Sequence, residues 1–207
     1  MSSKPSGGAA NAGRHSQSGH CHTVSTPPPK GSQHIAKPAL KLDPSKRYVV
    51  NLYTNCGTIE IQLAVKQAPL ISASFAYLVE HRFYDDLTFH RVVSGFVIQG
   101  GDPDGNGSGG PGYTVVEKPP ANLQYTRGVV AMAKTTADPA GASGSQFFIV
   151  TGANVGLPAQ YALLGNVVGG ENTIRTISSV PTEAGPDGEG STPSKPIVIA
   201  HATLSES

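Results

Sequence analysis

The chain reads as a mostly β protein: a closed eight-stranded antiparallel β-barrel capped by two α-helices, behind a disordered N-terminal tail. Three observations lead there. Short runs of alternating apolar and polar residues recur between turn signals from Arg47 to Leu204, the period of half-buried strands. Two segments carry helical spacing instead. Residues 1–45 are rich in Ser, Gly, Pro, Ala and His, and cannot bury enough apolar surface to offset their ordering entropy.

The folded domain is expected over 46–207. Tyr48, Val50 and Leu52 alternate with more polar neighbours, Asn55-Cys56-Gly57 turns the chain, and Ile59, Ile61 and Leu63 complete a hairpin. Pro69 opens a helix in which Ile71, Phe75, Leu78 and Val79 form one apolar stripe. Further strands are expected at 87–93, 96–100, 129–133, 146–150, 162–168 and 197–204, with a second helix over about 171–179 supported by Ile174 and Ile177. Closing eight such strands into a barrel removes their exposed edges. Pro103 to Arg127 is a long connection without periodicity, the kind usually functional or mobile. In the tail, Pro27-Pro28-Pro29 favours an extended polyproline conformation.

Composition narrows the function. A formal charge of +1 gives no global drive toward nucleic acid or an anionic membrane. No apolar run approaches the roughly 20 residues that span a bilayer. Lys4 is not followed by the apolar stretch of a secretory signal. Cys21 and Cys56 rule out a disulfide framework, while their spacing neither requires nor forbids a single bridge. So few cysteines favour a reduced, cytoplasmic setting, and a monomer is expected.

The most informative stretch is Phe89 to Asp102, FHRVVSGFVIQGGD. Arg91, Phe96 and Gln99 fall on two β-type runs joined by Ser94-Gly95, so a rigid sheet holds a cationic donor beside an apolar floor. That pairing suits a site that grips an uncharged apolar ring and polarises one of its atoms.

The same run resembles the signature of the cyclophilins, a family of peptidyl-prolyl cis/trans isomerases. The resemblance spans about Arg47 to Leu204 and continues through GSGGPGY at 107–113, GVVAMAK at 128–134, SGSQFFIV at 143–150 and QYALLGNVV at 160–168, in order and at family spacing. It implies an enzyme that assists folding by acting on proline-containing peptides and protein clients, with no cofactor and no metal. Position by position, it makes Arg91 the catalytic arginine and Gln99 the group that orients the substrate carbonyl. Phe96 and Phe148 line the proline pocket with Leu157, and with Val97 where the family often has methionine. Ala133 and Lys134 form the edge whose backbone pairs with the substrate chain, and Gln146 sits beside the pocket opening. Tyr161 replaces a histidine common in eukaryotic members and can still stack and donate. Lys134 replaces a usual asparagine, a change the backbone contact tolerates. Gly156 stands where many members carry a tryptophan associated with cyclosporin contact, so weak binding of a cyclosporin-type ligand is the most the resemblance implies. These departures are of the kind seen in short bacterial members.

The chemistry fits those residue types. Rotation about an Xaa–Pro bond faces a barrier of about 18–20 kcal/mol and takes roughly 10–100 s unaided. A guanidinium aimed at the prolyl nitrogen stabilises the twisted state, in which the lone pair is localised, more than the planar one. An acceleration of about 10⁵ needs roughly 7 kcal/mol, whereas one charge-assisted hydrogen bond supplies about 1.5–3 kcal/mol. Desolvation and the grip on one side of the amide must supply the rest, hence the apolar pocket.

Simpler roles suit the other candidates. Bond rotation needs no proton transfer, so His90 is read as structural. Asp102, Asp104, Asn106 and Gly107 imitate a calcium loop whose twelfth position is Tyr113 rather than Glu. The glycine-rich run 100–112 lacks the Gly-Lys-Ser/Thr ending of a phosphate loop. His15, His20, Cys21, His22 and His34 match no closed structural metal site. Two rivals remain, a slow proline-peptide binding module and a metal-handling protein built on the histidine tail.

Overall fold

The computed structural model describes residues 19–31, 33–185 and 190–207. The first part of the expected tail, His15 included, lies outside the described residues. The elements in chain order are β1 (Tyr48–Thr54), β2 (Gly57–Leu63), α1 (Pro69–Glu80), β3 (Leu87–Thr88), β4 (Arg91–Val93), β5 (Val97–Gly100) and β6 (Val115–Val116). There follow β7 (Val129–Met132), β8 (Ala142–Ser143), β9 (Phe147–Val150), β10 (Leu163–Gly169), α2 (Glu171–Ser178), β11 (Thr182–Ala184), β12 (Gly190–Pro193) and β13 (Val198–Glu206).

The closed eight-stranded barrel is corrected: the main sheet has nine strands and is open, curling in the order β3-β13-β1-β2-β10-β7-β9-β5-β4. The run expected as one strand over 87–93 is two. Thr88 and Leu87 pair with β13, while Arg91 to Val93 pair with β5. At Phe89-His90 the chain therefore crosses between the two edges of the sheet instead of continuing one ladder. Phe89 is buried there, its N–H donating to the Ile197 carbonyl at 2.9 Å, and an isolated bridge joins Thr88 to Asp102. Both edge strands are short, which limits the exposed backbone they offer to other chains. Two small ladders, β6 with β8 and β11 with β12, were not evident from periodicity.

The hairpin and the helices follow the expected patterns. Val50, Leu52, Ile59 and Ile61 are fully buried, each such side chain contributing about 1.5–3 kcal/mol. α1 buries Ile71, Phe75, Leu78 and Val79 as expected, together with Ser72, Ala73, Ser74 and Ala76 on a wider face. Ala68 cannot cap this helix, and the orphan N–H of Ile71 donates instead to Glu117 Oε2 at 2.9 Å, from the long connection. α2 sets Ile174 and Ile177 against β2, β4 and β5. Phe75, Tyr84 and Phe89 each meet the Phe147 ring edge-on at 5.5–5.9 Å, a geometry aromatic pairs prefer.

Residues 19–31 and 33–45 form no helix or strand but lie on the domain. Cys21 is disulfide-bonded to Cys56, resolving what their spacing left open. Ile35 N–H donates to the Pro111 carbonyl at 2.9 Å, and Lys37 Nζ to that of Thr114 at 2.9 Å. Cys21, Ile35 and Leu42 pack against the core. Among the described residues, no helix is long and apolar enough to cross a membrane.

Candidate active site

Strand register places the expected residues. Arg91 on β4 is directly opposite Gln99 on β5, and Gln99 is directly opposite Phe148 on β9, which in turn faces Ala131 on β7. Cross-strand partners project to the same face, so Arg91, Gln99 and Phe148 form one row. Val97 joins that face by the two-residue alternation of its strand. Phe147, next to Phe148, points the other way into the core, as the same alternation requires.

Phe96 lies in the turn between β4 and β5, half-buried, with its carbonyl accepting from the Thr151 N–H at 2.9 Å. Phe148 is 4% exposed and meets the Tyr161 ring edge-on at 5.4 Å. Lys134 Nζ stands 5.5 Å from the centre of that ring and also donates to the carbonyls of Thr135 and Asp138. Tyr161 is held from behind: Tyr125 Oη donates to its carbonyl at 2.6 Å and lies 3.0 Å from its N–H. The Ala133 N–H is committed to the Gln146 carbonyl at 2.8 Å and is not available to an incoming chain. Leu157 is half-buried against the core in the loop after β9. Gly156 has φ 65°, a conformation L side chains rarely adopt, and a Cβ there would meet open space.

Two cavities flank Gln99. One, of about 780 Å³, is lined by His90, Arg91, Gln99 and Asn106, together with Lys195 and Thr26. The other, of about 630 Å³, is lined by Gln99, Gly109, Tyr113, Ala133, Lys134 and Gln146. Phe96, Phe148 and Leu157 line neither of them. Gln99 thus stands between two open troughs, and Arg91 borders the first of them.

Sequence reasoning missed what holds this surface. The buried Asp102 carboxylate accepts from the N–H groups of Asp104, Asn106 and Gly107, tying down the loop after β5. Asp followed by Gly-rich polar residues is an Asx-turn signal, and it was the available clue. Ser145 Oγ donates to the Gly101 carbonyl at 2.7 Å, and Tyr84 Oη to that of Ser145 at 3.0 Å. Gly101 has φ 84°, and a Cβ there would sit 2.6 Å from the Ser145 carbonyl oxygen. The histidine of FHR is mostly buried, and neither ring nitrogen has a partner among the described residues. Burial lowers its pKa, opposed by Asp102 and reinforced by Arg91. Among the described residues no cluster of His, Cys, Asp and Glu could hold a metal ion.

The site is thus a curled antiparallel sheet that presents an arginine, a glutamine and a phenylalanine in one row, with an open trough on either side of the glutamine. Residues 49–204 match the family model described as cyclophilin type peptidyl-prolyl cis-trans isomerase/CLD. The chain is 35% identical over 171 residues to a probable peptidyl-prolyl cis-trans isomerase A of Mycobacterium bovis, covering 74% of this chain and 90% of that protein. It is 36% identical over 155 residues to peptidyl-prolyl cis-trans isomerase B of Streptomyces anulatus, covering 67% and 87%. A Cryptosporidium parvum cyclophilin crystallised in the presence of the dipeptide Ala-Pro superposes with a TM-score of 0.68 at 30% identity, covering 76% of this chain and 98% of that one. The chain belongs to the cyclophilin-type peptidyl-prolyl cis-trans isomerases.

Proposed function

We propose that this isomerase turns Xaa–Pro bonds on the face formed by β4, β5 and β9, with Arg91 as the electrostatic catalyst. The cross-strand row of Arg91, Gln99 and Phe148 carries the reading. The guanidinium meets the prolyl nitrogen as its lone pair localises, an interaction stronger in the twisted state than in the planar one. Gln99 orients the substrate carbonyl, so that one side of the amide is gripped while the other turns. Phe96, Phe148, Leu157 and Val97 supply the apolar contact for the ring. Ala133, Lys134, Gln146 and Tyr161 border the chain on its other side.

Proline-containing segments of folding proteins are the proposed clients, taken up by a monomer without nucleic acid or membrane. At Gly156 a Cβ would meet open space, so the large ring of other members is missing from that edge, which argues against more than weak binding of a cyclosporin-type ligand. The cytoplasmic setting now carries a chemical condition. Reducing compartments keep such pairs as thiols, whereas the Cys21–Cys56 bond persists where conditions oxidise. Thiol alkylation of protein from its native cells distinguishes the two.

The test of catalysis is cis–trans exchange measured by NMR on an Xaa-Pro peptide. Arg91→Ala is expected to lower kcat/KM by about tenfold or more, equivalent to about 1.4 kcal/mol. Unchanged turnover in a folded Arg91→Ala protein overturns the assignment.

A further inference from the structure

Residues 19–31 contribute no strand to the main sheet, yet they are fastened at both ends. At one end Cys21 is bonded to Cys56 in the turn between β1 and β2. There the His22 N–H donates to the Asn55 carbonyl at 2.8 Å, and Asn55 Nδ2 donates to the His22 carbonyl at 2.7 Å. At the other end the Lys30 N–H donates to the Pro103 carbonyl at 2.8 Å, and Lys30 Nζ to that of Phe83 at 3.0 Å. Between these anchors runs Thr26-Pro27-Pro28-Pro29, stiffened by the fixed φ of each proline. Thr26 stands in the wall of the cavity that also holds Arg91 and Gln99.

We propose that residues 19–31 are a specificity element of the peptide groove. They form a stiff wall that meets the part of a substrate extending beyond the bond at Arg91, and the Cys21–Cys56 bond holds that wall in place. The proposal rests on the reading of the Arg91–Gln99 face as the catalytic face. Chain length decides which substrates touch the wall. An extended peptide of about four residues spans roughly 14 Å, whereas one of about ten residues spans roughly 35 Å and so extends further from Arg91 along the cavity in which Thr26 stands. Opening the disulfide weakens the anchor at Cys21, leaving the two His22–Asn55 hydrogen bonds to hold that end, and leaves the ladders of the sheet untouched.

The experiment uses the full-length chain and two Xaa-Pro peptides, of about four and about ten residues, that share the same central residues. Exchange is measured by NMR for the oxidised protein, the dithiol-reduced protein, Thr26→Trp, and the double variant Cys21→Ser, Cys56→Ser. The ratio of KM for the long peptide to KM for the short one is expected to shift by about threefold or more in Thr26→Trp and on opening the bond. Thr26→Trp keeps the disulfide, so it decides the matter if the opened protein fails to fold. An unchanged ratio in Thr26→Trp, with the unmodified protein turning over both peptides, overturns the wall and leaves the catalytic reading intact. Failure of the unmodified protein to turn over either peptide overturns the catalytic reading, and the wall with it.

Discussion

Gln99 Nε2 donates to Gln146 Oε1 at 3.1 Å, while Gln146 Nε2 donates to the carbonyls of Gly107 and Gly109, each at 2.9 Å. Two backbone carbonyls thereby set which way the Gln146 amide faces, and Gln146 sets Gln99. The loop after β5 is therefore connected to the glutamine beside Arg91 by side-chain bonds.

Gln146→Ala is expected to release Gln99 to rotate and to lower kcat/KM by roughly three- to tenfold, with the fold intact. Because the two amides act as a unit, Gln99→Ala with Gln146→Ala should cost less than the sum of the single changes, by up to the Gln146→Ala loss itself, about 0.7–1.4 kcal/mol. Steady-state kinetics on the four proteins of that cycle give the coupling directly. Additive losses would mean that the bond does not orient Gln99.

Asp102 offers a test of loop stability. Its carboxylate accepts three backbone N–H groups, and Asp102→Ala leaves them without their acceptor. The expected loss is about 1–3 kcal/mol in urea denaturation, with a smaller loss for Asp102→Asn, which keeps one acceptor oxygen. An unchanged midpoint for Asp102→Ala would show that water replaces the carboxylate at no cost.

His90 sets a pH dependence of stability. Burial lowers its pKa, Asp102 raises it and Arg91 lowers it further, so the folded chain resists protonation that the unfolded chain accepts below about 6.5. The contribution is complete above that unfolded value and is lost as pH falls toward and through the lowered folded value. The Tm of the unmodified protein should therefore drop more than that of His90→Phe between about pH 8 and about pH 5. Parallel Tm curves would exclude His90 as the titrating group.

The parts of the fold carried by neighbouring residues were readable in advance. Tyr48, Val50 and Leu52 alternate and are buried, Pro69 opens α1, and Ile174 and Ile177 are the buried side of α2. The run 87–93 misled because its β-type composition is continuous, while its pairing partner changes from β13 to β5 at Phe89-His90. Composition records how well a residue suits a strand, not which ladder it joins. The row of Arg91, Gln99 and Phe148 was legible as a motif, but its alignment follows from register.

Family membership, the first hairpin and both helices were therefore legible in the sequence alone, because periodicity, turn chemistry and motif spacing are local properties of the chain. Tertiary structure decided that the sheet stays open, that Cys21 finds Cys56 across a separation of 35 residues, and that Thr26 and Arg91 border one cavity. Such contacts join distant segments, and they form only when burial of the whole core offsets the entropy of closing the chain between them.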